Sequence, residues 1–291
     1  MTGATIELGP TGIALRSLAE FQEWYAASAA DIAARHQVHA ALQSTLREGA
    51  TATLAGWCTV CEQDSAFAYD WLYSVPGNVN WRERLTCARC ELNNRLRLSV
   101  AVVEHLAPGG SGALYATEQL TPFVRVMRKR YPTLTTSEYL GPGLQPGSVG
   151  VGGIRHEDLT QLSFPDAQFD VVASFDVLEH VPDFRKALRE MRRVLKPGGH
   201  LVLSAPMSLG VHDHHVRARL LPSGEIEHLA TPEYHGDPVQ PDRGVLCYYH
   251  FGWQLIDDCL QAGFGDAAIR LYWSRRLGHI GFEQSLLVAS A

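Results

Sequence analysis

Residues 169–206 read FDVVASFDVLEHVPDFRKALREMRRVLKPGGHLVLSAP. Val171, Val172 and Ala173 form a short, β-branched apolar run with polar neighbours, the pattern of a buried parallel strand. Phe184, Leu188, Met191 and Leu195 follow at spacings of four, three and four, which predicts an amphipathic helix. Lys196-Pro197-Gly198-Gly199 is read as its stop, because glycine takes a left-handed cap and proline cannot continue the helix. His200–Ser204 is then a second strand. Strand, helix and strand within about forty residues make a right-handed βαβ unit. Ligands of such sheets bind at the carboxyl ends of the strands, here Ser174-Phe175-Asp176 and Ala205-Pro206-Met207.

This stretch resembles the fourth and fifth strands of class I S-adenosylmethionine-dependent methyltransferases. RHEDLTQLSFPDAQFD, residues 155–170, resembles the same family's third-strand motif. The resemblance implies an α/β fold with a Rossmann-like, seven-stranded sheet over residues 107–291, closed by an antiparallel edge from 268–273 and 284–289. It also implies S-adenosylmethionine as cofactor. On the first strand, Ala113–Thr117, the family's glycine-rich turn is replaced by Thr117-Glu118-Gln119-Leu120-Thr121. Thr117, Glu118 and Gln119 are therefore candidates to replace the missing backbone contacts, with Glu118 meeting the ammonium of the methionine portion and Gln119 and Thr121 supplying hydrogen bonds. Glu138, at the end of the second strand (134–139), stands where the family's acid accepts the ribose hydroxyls. By the same resemblance Asp158 meets the adenine amino group and the backbone of Leu159 the ring, while Phe175 and Asp176 lie beside the cofactor.

Upstream, residues 1–106 are expected to be a separate helical and zinc-binding region. Residues 1–12 read as irregular. Leu15–Leu46 is Ala-rich with apolar residues at helical spacings, one or two helices that pack as a lid or form a homo-oligomer face. Cys58-Thr-Val-Cys61 and Cys87-Ala-Arg-Cys90 are separated by 25 residues. Two CxxC knuckles supply four thiolates for a closed, tetrahedral, structural Zn²⁺ site. A redox dithiol and an iron–sulfur cluster are the alternatives. The aromatic-rich stretch between the knuckles suits stacking or packing. Residues 91–106 read as a helix whose Arg95 or Arg97 either faces solvent or reaches the pocket of the next domain.

After Pro206 the family inserts a variable, substrate-facing segment, here about 207–251. It holds six of the thirteen histidines. His214, His215, His235 and His250 from this segment, with His180 of the VLEH string, are the candidate general bases, since imidazole titrates near neutrality. Asp176, Glu179 and His180 lie at i, i+3 and i+4 on the helix that opens after this strand, so they share one face; the trio resembles the acid-and-histidine face that in some quinone-precursor O-methyltransferases holds a divalent ion, here Mg²⁺.

The 291 residues are 46% apolar and 19% charged, with a formal net charge of −6. That is a globular composition, and the acidic balance disfavours a polyanionic substrate. No apolar run is long enough to span a membrane, and the first residues lack the pattern of a secretory signal, so a cytoplasmic location is expected, with reduced cysteines. The reading is methyl transfer to oxygen or nitrogen of a small molecule. The alternatives are a nucleic-acid methyltransferase that grips RNA through the zinc module, and a non-catalytic binding protein that keeps the fold.

Overall fold

The computed structural model describes residues 12–239 and 241–291; the irregular start expected for residues 1–12 lies almost wholly outside them. In chain order the first elements are β1 (Ile13–Leu15), α1 (Leu18–Ala27), α2 (Ala29–Ser44), β2 (Ala52–Cys58), β3 (Gln63–Tyr69), β4 (Thr86–Cys87) and α3 (Asn94–Leu106). β2 and β3 are an antiparallel hairpin paired from Ala52↔Tyr69 to Cys58↔Gln63, and β4 adds to β3 at Phe67↔Cys87.

The next elements are β5 (Leu114–Ala116), α4 (Pro122–Arg130), β6 (Thr135–Thr136), β7 (Phe169–Phe175), α5 (Phe184–Val194) and β8 (Leu195–Ser204). Short strands follow: β9 (His215–Val216), β10 (Ala218–Leu220), β11 (Ile226–His228), β12 (Tyr234–His235), β13 (Val245–Leu246) and β14 (Tyr249–His250). The chain closes with α6 (Gln254–Gln261), β15 (Asp266–Ser274) and β16 (His279–Ser290).

Among the described residues the main sheet has seven strands, including β16, β8, β7, β5 and β6 in that spatial order. β6, β5, β7 and β8 are parallel, and β16 runs antiparallel to β8. This is the mixed, Rossmann-like sheet that the resemblance implies. β7 is buried along almost its whole length, as a continuous apolar run in a parallel sheet requires. α5 buries Phe184, Ala187, Leu188, Met191 and Val194, a single stripe at helical spacing. Each of the larger side chains contributes about 1.5–3 kcal/mol by leaving water. Asp183 caps this helix, its carboxylate accepting the Lys186 N–H at 3.0 Å.

Three local expectations change. Lys196–Gly199 is no helix stop: α5 ends at Val194, and the four residues belong to β8. They form an outward bulge, since Phe169 pairs with Leu195 but Val171 pairs with His200, and Gly198 supplies the left-handed φ of 75°. The third strand is reduced to isolated bridges, chiefly a parallel one between His156 and Glu138. Residues 178–180 form one 3₁₀ turn instead of α-helix, because Asp176 adopts φ 54° and turns the chain out of β7.

The chain divides into two compact units. Of the described residues, one comprises those up to Leu15, Ala19–His105 and Arg270–Leu286, the other Arg16–Leu18, Leu106–Ile269 and Leu287–Ala291. The ends of β15 and β16 next to their connecting loop belong to the first unit, and their far ends to the second. In the first unit Phe67, Tyr69 and Trp81 are buried, with Tyr69 and Trp81 rings 5.3 Å apart, so these three aromatics between the knuckles serve packing, whereas Tyr73 is exposed. No described helix is long and apolar enough to cross a membrane.

Candidate active site and the four-cysteine cluster

The carboxyl ends of the parallel strands carry the residues expected at the cofactor. Glu138 follows β6, and its Oε1 accepts the backbone N–H groups of Gln119 at 2.7 Å and Leu120 at 2.9 Å. The glycine-free turn is thus held by an acid on the next strand. Burial pushes the Glu138 carboxyl up, and the two amides oppose it. The remaining side chains of the turn are spent on folding it. Gln119 Nε2 donates to Gly153 O at 3.2 Å, and its Oε1 accepts the Arg155 N–H at 3.3 Å. Thr121 Oγ1 caps α4 by accepting the Val124 N–H, and Pro122 starts the helix. Thr117 Oγ1 donates to Ser174 Oγ at 3.0 Å, and Glu118 is buried. Gln119 and Thr121 thus make hydrogen bonds within the chain.

Asp158 Oδ1 accepts both the backbone N–H and the hydroxyl of Thr160, each at 2.8 Å, and Leu159 is buried beside it. Phe175, the last residue of β7, packs edge-on to Phe123 at 4.9 Å. Asp176 Oδ1 accepts the Ser204 hydroxyl at 2.8 Å, and its N–H donates to Ser204 O, which joins the ends of β7 and β8.

Because residues 178–180 are not α-helical, the expected Asp176–Glu179–His180 face does not form. Glu179 and His180 instead meet His235 of β12, their ligand-type atoms lying within 4.8 Å of one another. The 207–251 segment delivers His235 in three steps. β12 pairs with β13, with His235 opposite Val245 and Tyr234 opposite Leu246. Leu246 O accepts from His180 Nδ1 at 2.8 Å, and Tyr248 N–H donates to Glu179 O at 2.8 Å. Tyr249 Oη donates to Pro182 O at 2.7 Å.

The carbonyl partner fixes the hydrogen of His180 on Nδ1, and burial lowers its pKa, so the ring is neutral with an unprotonated Nε2. That Nε2 lies 3.7 Å from Glu179 Oε1. His235 Nδ1 lies 3.5 Å from the same oxygen, and its Nε2–H donates to Glu233 Oε1 at 2.9 Å. Contact with Glu179 first, then with Glu233, raises the His235 pKa to about 9. Both oxygens of Glu179 are buried and accept no hydrogen bond.

The other candidate histidines separate from this cluster. The His214 side chain is only 4% exposed and has both nitrogens committed, Nδ1 accepting the Gly252 N–H at 3.1 Å and Nε2 donating to Asp258 at 2.8 Å. It is a tie between segments and has no nitrogen left for a proton from a substrate. His215 is exposed, opposite His250 in the β9–β14 pair. His250 Nε2 reaches Glu233 Oε1 at 3.2 Å, and Arg217 Nη2 pairs with Glu233 Oε2 at 3.2 Å. Glu233 was not singled out in sequence, although Glu-x-His in a strand puts both side chains on one face. That alternation was the signal available.

The knuckles also converge. The four sulfurs of Cys58, Cys61, Cys87 and Cys90 lie within 4.8 Å of one another, with Cys58–Cys90 and Cys61–Cys87 both at 3.9 Å. The two turns are alike. Glu62 and Glu91, one residue past each second cysteine, take φ 53° and 62° and donate N–H to Cys58 O and Cys87 O. Ser65 Oγ is 3.1 Å from Cys87 Sγ, and the Arg89 N–H donates to the same sulfur at 3.4 Å. Cys58 is lowered to about 5, chiefly by the hydrogen bond from Cys90, whereas burial pushes Cys61 up to about 11. Arg97 does not reach for another pocket. It is buried with its guanidinium 3.9 Å over the Phe67 ring, donating to Leu277 O, Gly278 O and Leu85 O. Burial lowers it to about 10, opposed by the nearby cysteines, so it stays cationic at neutral pH. Arg95 is held by Glu83 at 2.9 Å.

A model of the family described as "Methyltransferase domain" matches residues 99–203, from within α3 to the end of β8. The likeness is to those residues alone. Over 84 residues the chain is 35% identical to 27-O-demethylrifamycin SV methyltransferase of Amycolatopsis mediterranei, covering 28% of this chain and 31% of that one. Over 46 residues it is 52% identical to demethylmenaquinone methyltransferase of Listeria welshimeri, covering 16% and 20%. The chain thus spans less than a third of the length of these relatives. Among solved structures, an S-adenosylmethionine-dependent methyltransferase from Mesorhizobium loti aligns at a TM-score of 0.37 and 16% identity, over 66% of this chain and 96% of that one. The matched segment ends where β8 delivers Ser204, and the Glu179–His180 turn lies inside it. Glu233, His235 and His250 lie beyond it.

Proposed function

We propose that this chain is an S-adenosylmethionine-dependent methyltransferase acting on an oxygen or nitrogen of a small molecule. The observation that carries the reading is the methyltransferase-domain match over residues 99–203, which includes the acid at the end of β6 and the buried turn after β7. The named relatives act on a rifamycin precursor and a menaquinone precursor, which favours a small acceptor. Glu138 suits the ribose end of the donor: its Oε1 is taken by the turn, but no hydrogen bond among the described residues uses Oε2. The donor supplies an activated methyl group, whose bond to sulfur breaks, with the pair remaining on sulfur, as its bond to the acceptor forms. The chain's own task is to align the acceptor and draw off its proton. His180 brings an unprotonated nitrogen and Glu179 a desolvated negative charge, both of which favour loss of that proton. Glu233 and His250 extend the same polar wall.

The four-cysteine cluster is proposed to hold a structural Zn²⁺ through Cys58, Cys61, Cys87 and Cys90. With Zn–S near 2.3 Å, a tetrahedron has S···S edges of about 3.8 Å. Two of the observed pairs are at 3.9 Å, far too long for a disulfide. Arg97 places a buried positive charge close to what would be an anionic cluster. Four sulfur ligands leave no open position, so the ion holds the fold and does no chemistry.

The test is isothermal calorimetry with S-adenosylmethionine, followed by mass spectrometry of candidate hydroxyl and amine acceptors. Binding with a methylated product is expected. A folded, zinc-replete protein that binds neither the donor nor its demethylated product refutes the reading.

A further inference from the structure

We infer that Arg97 is the counter-ion of the four-cysteine cluster, and that through it metal loading fixes the turn between β15 and β16. The inference rests on the reading that the cluster holds Zn²⁺. Three observations, all within the first compact unit, converge on it.

First, Arg97 is a buried cation without a carboxylate. Its side chain belongs to a residue that is 0% exposed. The guanidinium donates only to carbonyls, Leu277 O at 2.6 Å, Gly278 O at 2.8 Å and Leu85 O at 3.3 Å, and it lies 3.9 Å over the Phe67 ring. Among the described residues no Asp or Glu forms an ion pair with it, and the groups that oppose the effect of its burial are Cys58, Cys87, Cys90 and Cys61. His279 is buried nearby, and burial together with Arg97 itself keeps that ring neutral. Carbonyls satisfy the N–H donors but do not balance the charge, and an unbalanced buried charge is costly.

Second, the charge count singles out the metal-loaded cluster. Four thiols are neutral, and so are two disulfides, and either state leaves Arg97 alone. Four thiolates around one divalent ion carry a net double negative charge, their four protons having left to water. Loading therefore takes the cluster from neutral to anionic, and a fixed cation beside it favours the loaded state.

Third, the turn is built to be held. Arg276 O accepts the Trp57 N–H at 2.7 Å, one residue before the ligand Cys58. Gly278 takes φ 65°, and a Cβ there would stand 2.5 Å from the Phe67 ring and 3.0 Å from Arg97 Nη2. Only glycine lets the turn close on the guanidinium. The planar fork of arginine bonds two successive carbonyls while its face rests on a ring, a geometry that an ammonium lacks. The loaded cluster holds the cation, and the cation holds a turn 180 residues further along the chain.

The test uses the full chain with neither methyl donor nor acceptor. Zinc affinity is measured by competition with a chromophoric chelator at pH 7, and hydrogen–deuterium exchange is followed in peptides covering residues 275–281. Chelation of the wild type should speed exchange there. Arg97→Met should bind zinc 10- to 100-fold more weakly, as loss of a partner outside the ligand shell does. Arg97→Lys keeps the charge without the fork, so it should bind zinc more tightly than Arg97→Met yet exchange faster than wild type over 275–281 even when loaded. Co²⁺ in place of Zn²⁺ should give the thiolate charge-transfer band in all three proteins, which shows that the cysteines still ligate. Wild-type zinc affinity in Arg97→Met overturns the counter-ion role, and exchange over 275–281 that ignores zinc in the wild type overturns the coupling. Should Arg97→Met fail to fold, Arg97→Lys and the chelated wild type decide. A folded wild type that takes up no zinc fails differently: it refutes the zinc reading, and the inference falls with it.

Discussion

Replacing Glu138 tests the idea that one acid both folds the glycine-free turn and grips the cofactor. Its Oε1 takes two backbone N–H groups at 2.7 and 2.9 Å. Hydrogen bonds to a charged group are worth roughly 1.5–3 kcal/mol each. They are not additive, and the freed amide of Leu120 borders solvent, so Glu138→Ala should cost about 2–3 kcal/mol of stability. Glu138→Gln keeps an acceptor oxygen for the amides but loses the charge, so it should cost about 1 kcal/mol. Cofactor affinity separates the two roles. The ribose hydroxyls donate to the charged form, and both variants should bind S-adenosylmethionine at least tenfold more weakly, even though Glu138→Gln remains nearly as stable as wild type. Urea unfolding gives the first quantity and calorimetry the second. Unchanged affinity in a folded Glu138→Gln would place the ribose elsewhere. Unchanged stability in Glu138→Ala would show that the turn does not depend on the acid.

Other outcomes follow from the same geometry. Cys87→Ser should lose about one zinc per chain by elemental analysis and unfold the β2–β4 region, since binding and folding are coupled in such clusters; full zinc content with intact circular dichroism refutes it. His39 is lowered from 6.5 to about 4 by burial, and its Nε2 accepts from Trp273 Nε1–H and the Gly281 N–H. A depressed folded pKa means that its contribution is present above about pH 6.5 and is lost as pH falls toward 4, by up to about 3 kcal/mol. Unfolding free energy measured across that window should slope downward in wild type, and a profile no steeper than that of His39→Gln refutes this. His180→Gln should lower kcat by at least roughly 100-fold while leaving donor affinity intact; full turnover would move the search for the proton acceptor to His250 or His215.

The sheet was legible because its evidence is local. Val171–Ala173, the α5 stripe and Leu201–Leu203 each declare their period and burial within a few residues. The paired CxxC knuckles were equally legible, since two cysteines at that spacing converge whatever surrounds them, and both knuckles close through a left-handed glutamate that no pattern announces. Lys196–Gly199 was misread because a glycine pair can end a helix or bulge a strand, and only pairing with β7 selects between these. Periodicity also assumed a helix at Asp176–His180, whereas the exit of the chain from β7 at a left-handed Asp176 left room for one 3₁₀ turn. The glycine-free turn could not be understood alone, since the acid that holds it lies about twenty residues away on the next strand. The decisive case is the Glu179–His180–His235 cluster. His235 lies more than fifty residues from the adjacent Glu179 and His180, and the choice of His235 over His214 or His215 rests on the register of β12 against β13 and on one carbonyl, Leu246 O. A strand slipped by one residue would turn His235 to the opposite face. Side-chain chemistry is written in the sequence, but which imidazoles meet a buried carboxylate is set by pairings between short strands whose stability comes from tertiary contact.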